Sequence, residues 1–130
     1  MRLLLDTHAF LSLMAQPDRL SAAAIAACDD LGNDLVLSVA SLWEIQIKQQ
    51  LGKLRFDVPL ADLVQEQSDE QVVTLLPIQA QHVLALDALP PHHRDPFDRL
   101  LIAQARSEEF TLVSGDTALQ AYADLVTILW

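Results

Sequence analysis

The sequence contains five short apolar segments that alternate with segments of helical pattern, and this alternation limits the possible folds more than any other feature. Strands that are apolar throughout and separated by helices are typical of parallel sheets covered on both faces. The sequence therefore predicts an α/β fold with a five-stranded parallel sheet sandwiched between helices. The expected strands span 3–5, 35–38, 72–76, 110–114 and 126–129.

Helices are expected between these strands because apolar residues recur there at helical spacing. Pro59 and Pro96 begin two of them, and Gly52 ends a third. The expected helices span 7–15, 21–31, 39–51, 59–67, 80–86, 96–107 and 117–122. In sheets of this kind ligands bind beyond the carboxyl ends of the strands, so the residues at those ends are candidates for a functional site.

The size and composition of the chain predict one domain over residues 1–130. With 52% hydrophobic and 20% charged residues, the chain is too apolar to be disordered. Its apolar runs are far shorter than a membrane-spanning helix, which needs about 20 residues, and we expect no signal peptide. The single cysteine, Cys28, excludes an internal disulfide. We therefore expect a cytoplasmic protein that does not associate with membranes.

The net charge of −10, from 8 basic and 18 acidic residues, argues against binding of nucleic acid by overall electrostatic attraction. It does not exclude a protein that cuts nucleic acid with a metal held by acids. The positions of the acids are therefore more informative than their number.

Four acids follow expected strands or lie near the beginnings of the helices behind them. Asp6 follows the first strand directly, and Asp116 comes shortly after the fourth. Glu44 and Asp98 lie early in the helices that follow the second strand and the proline-rich loop. Parallel strands end at the same edge of a sheet, so these four side chains are expected at one edge.

Helix capping is the simpler interpretation of most of these acids. Ser41 and Glu44 fit a capping box. Asp95, which precedes a proline, is a typical N-cap, and Asp116 could cap the short helix after it. In contrast, no capping pattern requires an acid at Asp6.

The apolar faces of two helices favour a shared site instead. Asp98 lies on the same helical face as Leu101 and Ile102, which must pack on the sheet. Glu44 lines up in the same way with Ile47. An acid at the N-terminal end of a core-facing apolar helix face is expected to point into a cleft rather than to solvent.

Four carboxylates in one pocket would repel one another, and a cation would relieve this repulsion. Ligands that are all oxygen suit Mg²⁺ or Mn²⁺. Such ions polarise a phosphoryl oxygen and lower the pKa of an attacking water, so the expected chemistry is hydrolysis of phosphodiester bonds.

At these acids the sequence resembles the PIN-domain family, and within it the VapC-type ribonuclease toxins of toxin–antitoxin pairs. The matching segments are LLLDTHA at 3–9, SVASLWEI at 38–45, HRDPFDRLLIAQA at 93–105 and LVSGD at 112–116. They occur in the family's order along the whole chain.

The resemblance implies a five-stranded parallel sheet sandwiched by helices and an endoribonuclease that depends on Mg²⁺ or Mn²⁺. It places the four catalytic and metal-binding acids of the family on Asp6, Glu44, Asp98 and Asp116. Supporting roles fall to Asp95, Thr7 and Ser114. The resemblance also implies an RNA substrate, a homodimer, and a cognate antitoxin that inhibits by covering the site.

Five of the eight basic residues lie near the expected site, and we hypothesise that they guide RNA phosphates to the metal. They are Lys48, Lys53, Arg55, Arg94 and Arg99. Ordinary solvated surface charge is the alternative interpretation. His92 and His93 are interpreted as loop residues that could contact RNA or a partner, and Trp43 as a core or interface residue.

Three other functions are considered for the predicted fold. A phosphate-accepting receiver domain would have paired acids after the first strand and a lysine after the last, whereas this sequence has one acid and no such lysine. A phosphatase with an aspartyl nucleophile would have a second acid two residues after Asp6, where His8 stands. A catalytically silent acidic binding module would use its acids only as caps and would not respond to divalent ions.

Overall fold

The centre of the molecule is a parallel sheet. In the computed structural model, which describes residues 1–70 and 72–130, its five strands are β1 (Arg2–Leu5), β2 (Asp34–Ser38), β3 (Thr74–Leu76), β4 (Thr111–Val113) and β5 (Ile128–Leu129). Their order across the sheet is β3-β2-β1-β4-β5, and each neighbouring pair is parallel. The predicted α/β fold is confirmed.

Within the described ranges, α-helices and short 3-10 segments connect the strands. The α-helices are α1 (Thr7–Ala15), α2 (Ala22–Asp29), α3 (Val39–Gln50), α4 (Leu60–Asp69), α5 (Ala80–Leu84) and α6 (Pro96–Glu108). The 3-10 segments are Pro17–Arg19, Ala85–Ala88 and Thr117–Tyr122. None of these described helices is long and apolar enough to cross a membrane.

Two hydrophobic cores lie on opposite faces of the sheet, because side chains alternate along each strand. Leu3 and Leu5 of β1 face one core together with Phe10 of α1. Leu4 faces the other core together with Tyr122. These five side chains are at most 1% exposed. Burial on both faces explains why β1 is apolar throughout.

The chain reverses the direction in which it adds strands at β1, and this reversal positions the candidate site. From β1 it adds β2 and β3 on one side, and then β4 and β5 on the other. Leu5 pairs with Leu37 of β2 and with Val113 of β4. The loops that follow β1 and β4 diverge around a crevice at the carboxyl end of the sheet, where folds of this kind bind ligands.

Three strands are shorter than the sequence predicts, and hydrogen bonding explains where each begins. β3 begins two residues later than expected, because the amide of Val72 donates to the carbonyl of Gln67 near the end of α4. The last strand begins two residues later than expected, because the amide of Val126 donates to the carbonyl of Tyr122 instead of joining the sheet. Phe110 lies outside β4, because its amide donates to the carbonyl of Ala105 where α6 ends.

Candidate metal centre

Asp6 links the first strand to the first helix and is almost completely buried. Its amide donates to the carbonyl of Val113 at 3.0 Å, which continues the sheet. Its Oδ1 atom accepts a hydrogen bond from the amide of Ala9 at 2.6 Å, so Asp6 is the N-cap of α1. The expectation that capping does not involve Asp6 is therefore wrong. A helix that begins directly after a strand leaves amides without partners in its first turn, and Asp6 accepts from one of them.

The environment of Asp6 opposes ionisation of its carboxyl group. Burial raises the pKa of Asp6, while hydrogen bonding from Ser114 and from the amide of Ala9 acts in the opposite direction. The charge of His8 also lowers this pKa, and that of Asp116 raises it. A bound cation would favour the ionised form in this position.

Glu44 is buried in α3 and has partners for both carboxylate oxygens. The hydroxyl of Thr7 donates to Oε1 at 2.6 Å, and Nζ of Lys48 lies 3.2 Å from Oε2. The hydroxyl of Ser41 lies 3.0 Å from that of Thr7. Because Thr7 has one proton and donates it to Glu44, Ser41 must be the donor to Thr7.

The capping box expected from Ser41 and Glu44 is not formed, because α3 begins earlier in the chain. Its N-cap is Ser38, whose hydroxyl accepts from the amide of Ala40 at 3.1 Å. Glu44 is consequently well inside the helix, on its buried side. The side chain is directed to Thr7 of α1 rather than back along its own helix.

Asp98 lies in the first turn of α6, and Asp95 caps that helix. Oδ1 of Asp95 accepts from the amides of Phe97 at 2.8 Å and Asp98 at 3.3 Å, as the sequence predicts. Oδ2 of Asp98 lies 2.8 Å from Nε2 of His93. Burial raises the pKa of Asp98, the hydrogen bond from His93 lowers it, and the charges of Asp95 and Glu44 raise it.

Asp116 follows β4 and caps the 3-10 segment behind it. Its Oδ1 atom accepts from the amide of Ala118 at 2.9 Å, and its own amide donates to the hydroxyl of Ser114 at 3.1 Å. One carboxylate oxygen of Asp116, one of Asp98 and a ring nitrogen of His93 all lie within 4.8 Å of one another. These three groups are close enough to share one metal ion.

The four sequence-predicted acids therefore lie at the same edge of the sheet and influence one another. Electrostatic repulsion connects Asp6 to Asp116 and Asp98 to Glu44, and Asp98 is close to Asp116. Thr7 and Ser114 contact these acids directly, whereas Asp95 acts on its helix and through its charge. The supporting residues thus hold the acids in place rather than adding to their number.

The donor set fits a hard divalent cation. Asp6 and Asp116 each use Oδ1 for a cap, which leaves the second oxygen of each carboxylate for another partner. Carboxylate oxygens are the ligands that Mg²⁺ and Mn²⁺ prefer. His93 already bonds to Asp98, so its clearest role is to orient that carboxylate.

The sequence interpretation treated His93 as a loop residue that could contact RNA or a partner, and it missed the contact with Asp98. The informative signal is its position five residues before Asp98. The loop brings the imidazole back onto the first turn of α6, where the backbone amide of His93 donates to the hydroxyl of Tyr122 at 3.1 Å. The imidazole thereby supplies a hydrogen-bond partner for Oδ2 of Asp98.

The five basic residues expected to guide RNA are not equivalent in the structure. Lys48, Lys53 and Arg55 line a cleft beside the acids, and Arg94 lies on a neighbouring groove. Arg99 instead donates to the carbonyls of Pro90, His93 and Leu86 and to the hydroxyl of Tyr122, at 3.0–3.5 Å. Its guanidinium is occupied inside the protein, so we assign Arg99 a structural role and not an RNA-guiding one.

A cavity of about 370 Å³ opens at the acidic edge. Asp6 and Asp116 line it, together with His8, Ala9, Ser12, Arg19, Gly115 and Trp130. The indole of Trp130 lies so close to Gly115 that a Cβ atom there would approach it to 2.6 Å. Glycine at this position therefore allows the aromatic ring to close one side of the cavity.

Together, the doubly wound parallel sheet and the cluster of acids at its carboxyl edge define an α/β protein with a candidate metal centre. The chain belongs to the PIN-domain family, because the family's model, described as PIN domain, matches residues 3–125. The resemblance inferred from the sequence is thereby confirmed.

Individual proteins and structures are similar over nearly the whole chain. A relative named Ribonuclease VapC22, from Mycobacterium tuberculosis, is 28% identical over 120 residues, which cover 92% of this chain and 90% of the relative. The crystal structure of VapBC2 from Rickettsia felis bound to a promoter DNA fragment matches with a TM-score of 0.70 at 15% identity, over 100% of both chains. DNA-bound VapBC from Salmonella typhimurium matches with a TM-score of 0.67 at 14% identity, over 98% of this chain and 96% of the other. These structures show the same fold.

Proposed function

We propose that this protein is an endoribonuclease that depends on Mg²⁺ or Mn²⁺ and acts as the toxin of a toxin–antitoxin pair. The observation that carries the proposal is the meeting of four acids from distant segments at one edge of the sheet: Asp6, Glu44, Asp98 and Asp116. The similarity to a protein named as a ribonuclease over 92% of the chain supports the reaction class.

The bound ion would neutralise charge on a phosphoryl oxygen and lower the pKa of the attacking water. The protein's contribution is to hold the ligands in fixed positions before the ion binds. Asp6 is held by the amide of Ala9, and Glu44 by the hydroxyl of Thr7. Asp98 is held by His93 and Asp116 by an amide of its own turn. Such fixed dipoles and ligands stabilise developing charge without reorganisation.

RNA is the proposed substrate, and four cations are proposed to guide its phosphates: Lys48, Lys53, Arg55 and Arg94. They lie on grooves beside the acids in a chain whose net charge is −10. Local attraction by these residues would therefore oppose the general repulsion of a polyanion.

A cognate antitoxin and a second copy of the chain are the proposed protein partners, in the cytoplasm where RNA is available. The structural matches named VapBC are toxin–antitoxin assemblies with this fold, which supports an antitoxin partner. For the homodimer, the support is apolar surface near the site. Trp43 of α3 is 61% exposed and packs edge to face on Phe97 with ring centroids 5.2 Å apart. Leu51, the C-cap of the same helix, is 63% exposed.

A catalytically silent acidic module is the second candidate, because Asp6, Asp95 and Asp116 each cap a helical segment. Capping uses only one oxygen of each carboxylate and does not account for the burial of Glu44 and Asp98 beside one another. The response to divalent ions separates the two functions.

The test is cleavage of labelled single-stranded RNA by the purified full-length protein with Mn²⁺, with Mg²⁺ and with EDTA. We expect cleavage only with the ions, and none from Asp6→Asn, whose amide oxygen can still cap α1. Asp62→Asn is the matched control, since Asp62 is an exposed acid in α4. Cleavage by Asp6→Asn, or cleavage in EDTA, would contradict the proposed site.

A further inference from the structure

The acidic cavity continues into a second, larger cleft, which none of the four acids lines. The two share His8, Ser12 and Arg19. The second cleft has a volume of about 410 Å³ and lies between α1, the 3-10 segment after it, and the 53–56 loop. Any ligand long enough to occupy both would reach the acids at one end.

The charge of this cleft is opposite to that of the protein. Four of the eight basic residues of the chain line it: Arg19, Lys48, Lys53 and Arg55. Lys48 is paired with Glu44, but no acid is among the lining residues of the cleft itself. In a chain of net charge −10 this concentration of cations favours an anionic ligand. The neighbouring acids would repel that ligand unless it also met a cation bound by them.

The cleft also has an apolar wall, so its ligand is not a simple anion. Leu11, Leu54 and Phe56 form this wall, and each is only half-buried although it packs on the core. A flat aromatic ligand can pack on such a wall, and base stacking on aromatic side chains is the usual way in which proteins hold single strands. The cleft is within the size range of small-molecule sites, about 300–1,000 Å³, which is enough for one nucleotide.

Arg19 occupies the junction between the two cavities. It ends the 3-10 segment that Pro17 begins, and its backbone amide donates to the carbonyl of Gln16 at 3.0 Å. Its side chain is exposed, and no described acid lies within salt-bridge distance of it. A planar guanidinium can bind a phosphate through two hydrogen bonds. The backbone is thus fixed, while the charged group is available at the mouth of the acidic cavity.

We propose that this cleft binds one nucleotide of a single-stranded RNA, and that Arg19 holds the phosphate next to the one that is cut. The base lies on the wall that includes Phe56, and Lys53 and Arg55 contact the backbone further from the acids. The inference rests on the proposed ribonuclease function and extends it by assigning one side of the cut strand to one cleft. A protein segment is the competing occupant, and the test separates it.

The first experiment measures binding of a fluorescein-labelled single-stranded RNA of mixed sequence to full-length Asp6→Asn protein over a series of salt concentrations. Adding Arg19→Gln or Arg55→Gln should weaken binding several-fold and lower the salt dependence by about 0.7 per lost phosphate contact. Arg106→Gln, the same charge change on the exposed end of α6, should do neither. If Arg19→Gln behaves like Arg106→Gln, the proposal is overturned.

The second experiment tests the apolar wall. Phe56→Leu keeps the contact with the core but removes the aromatic face. We expect weaker RNA binding with an unchanged salt dependence, because no phosphate contact is lost. Unchanged affinity would overturn the assignment of the base to this wall.

Cleavage of the same RNA by the protein with intact acids distinguishes this inference from the proposed function. If RNA is cut but Arg19→Gln changes neither RNA affinity nor KM, the cleft is wrong and the ribonuclease stands. If the variants bind RNA normally but lose a co-expressed antitoxin, the cleft is a protein-docking surface, and the inference is again overturned. Absence of both cleavage and RNA binding would overturn both proposals.

Discussion

Nε2 of His93 lies 2.8 Å from Oδ2 of Asp98, and this bond joins the loop after Pro91 to the first turn of α6. His93→Ala should leave that carboxylate without its partner and raise its pKa further. We expect about 10–100-fold weaker Mn²⁺ binding, the usual loss when a ligand's hydrogen-bond partner is removed. Titration calorimetry measures it, and His93→Gln, which retains a donor, should recover part of the affinity. Equal affinities for all three proteins would show that His93 does not position Asp98.

The buried carboxyl of Asp6 should make the metal-free protein less stable as the pH rises. Because burial raises its pKa above the ordinary 3.8, the folded protein keeps this proton to a higher pH than the unfolded chain does. Its contribution to stability is present below the ordinary pKa and is lost as the pH passes through the raised pKa.

Asp6→Asn removes this titration and should therefore stabilise the protein in EDTA by an amount that grows with pH and then levels off. The melting temperature at several pH values measures the difference, with Asp62→Asn as the control. Addition of Mn²⁺ should reverse the order, since saturation at 100 times Kd stabilises a binding protein by about 2.7 kcal/mol. Parallel pH profiles for the parent and Asp6→Asn would be inconsistent with a buried Asp6 whose pKa is raised.

Thr7 should matter for both stability and cleavage because it connects Ser41 to Glu44. Thr7→Val keeps the shape but leaves Oε1 of the buried Glu44 carboxylate without a donor, which costs about 1–3 kcal/mol. We expect a lower melting temperature and slower RNA cleavage, and Thr7→Ser should restore both. A Thr7→Val protein that cuts RNA at the parental rate would show that Glu44 does not need this donor.

Arg99 should act on stability and not on RNA binding. Arg99→Gln removes charged hydrogen bonds to the carbonyls of Pro90 and Leu86 and to the hydroxyl of Tyr122, at about 1.5–3 kcal/mol for a bond of this kind. We expect reduced thermal stability with an unchanged salt dependence of RNA binding in the Asp6→Asn background. A smaller salt dependence would instead return Arg99 to the set of RNA-guiding residues.

The fold could be predicted from local pattern because both faces of the sheet are covered. An apolar run such as Leu3–Leu5 followed by a helix has few alternatives, and the expected strands and helices correspond to those found. Strand ends were less predictable, since Val126 is as apolar as a strand residue but its amide bonds to a turn. That choice depends on a partner four residues away and not on residue type.

The candidate site was likewise predictable only in part. The acids could be selected because they follow strands or lie early on the core-facing side of a helix, but their partners depend on contacts distant in sequence. Thr7 reaches Glu44 across 37 positions, and no spacing rule predicts this pair. The role of Asp6 as a cap was missed because it is the only residue between the strand and the helix. Arg99 was misassigned because its sequence position beside Asp98 does not reveal that its side chain points to Tyr122.

The pairing of β1 with β4 has a consequence for folding. Asp6 and Asp116 are 110 positions apart in the sequence, so no local segment of the chain can bring the two carboxylates together. They meet only when the strands on either side of the reversal have joined one sheet. Unfolding of either strand would therefore disperse the acids, and the acidic edge should be lost in the same transition as the sheet.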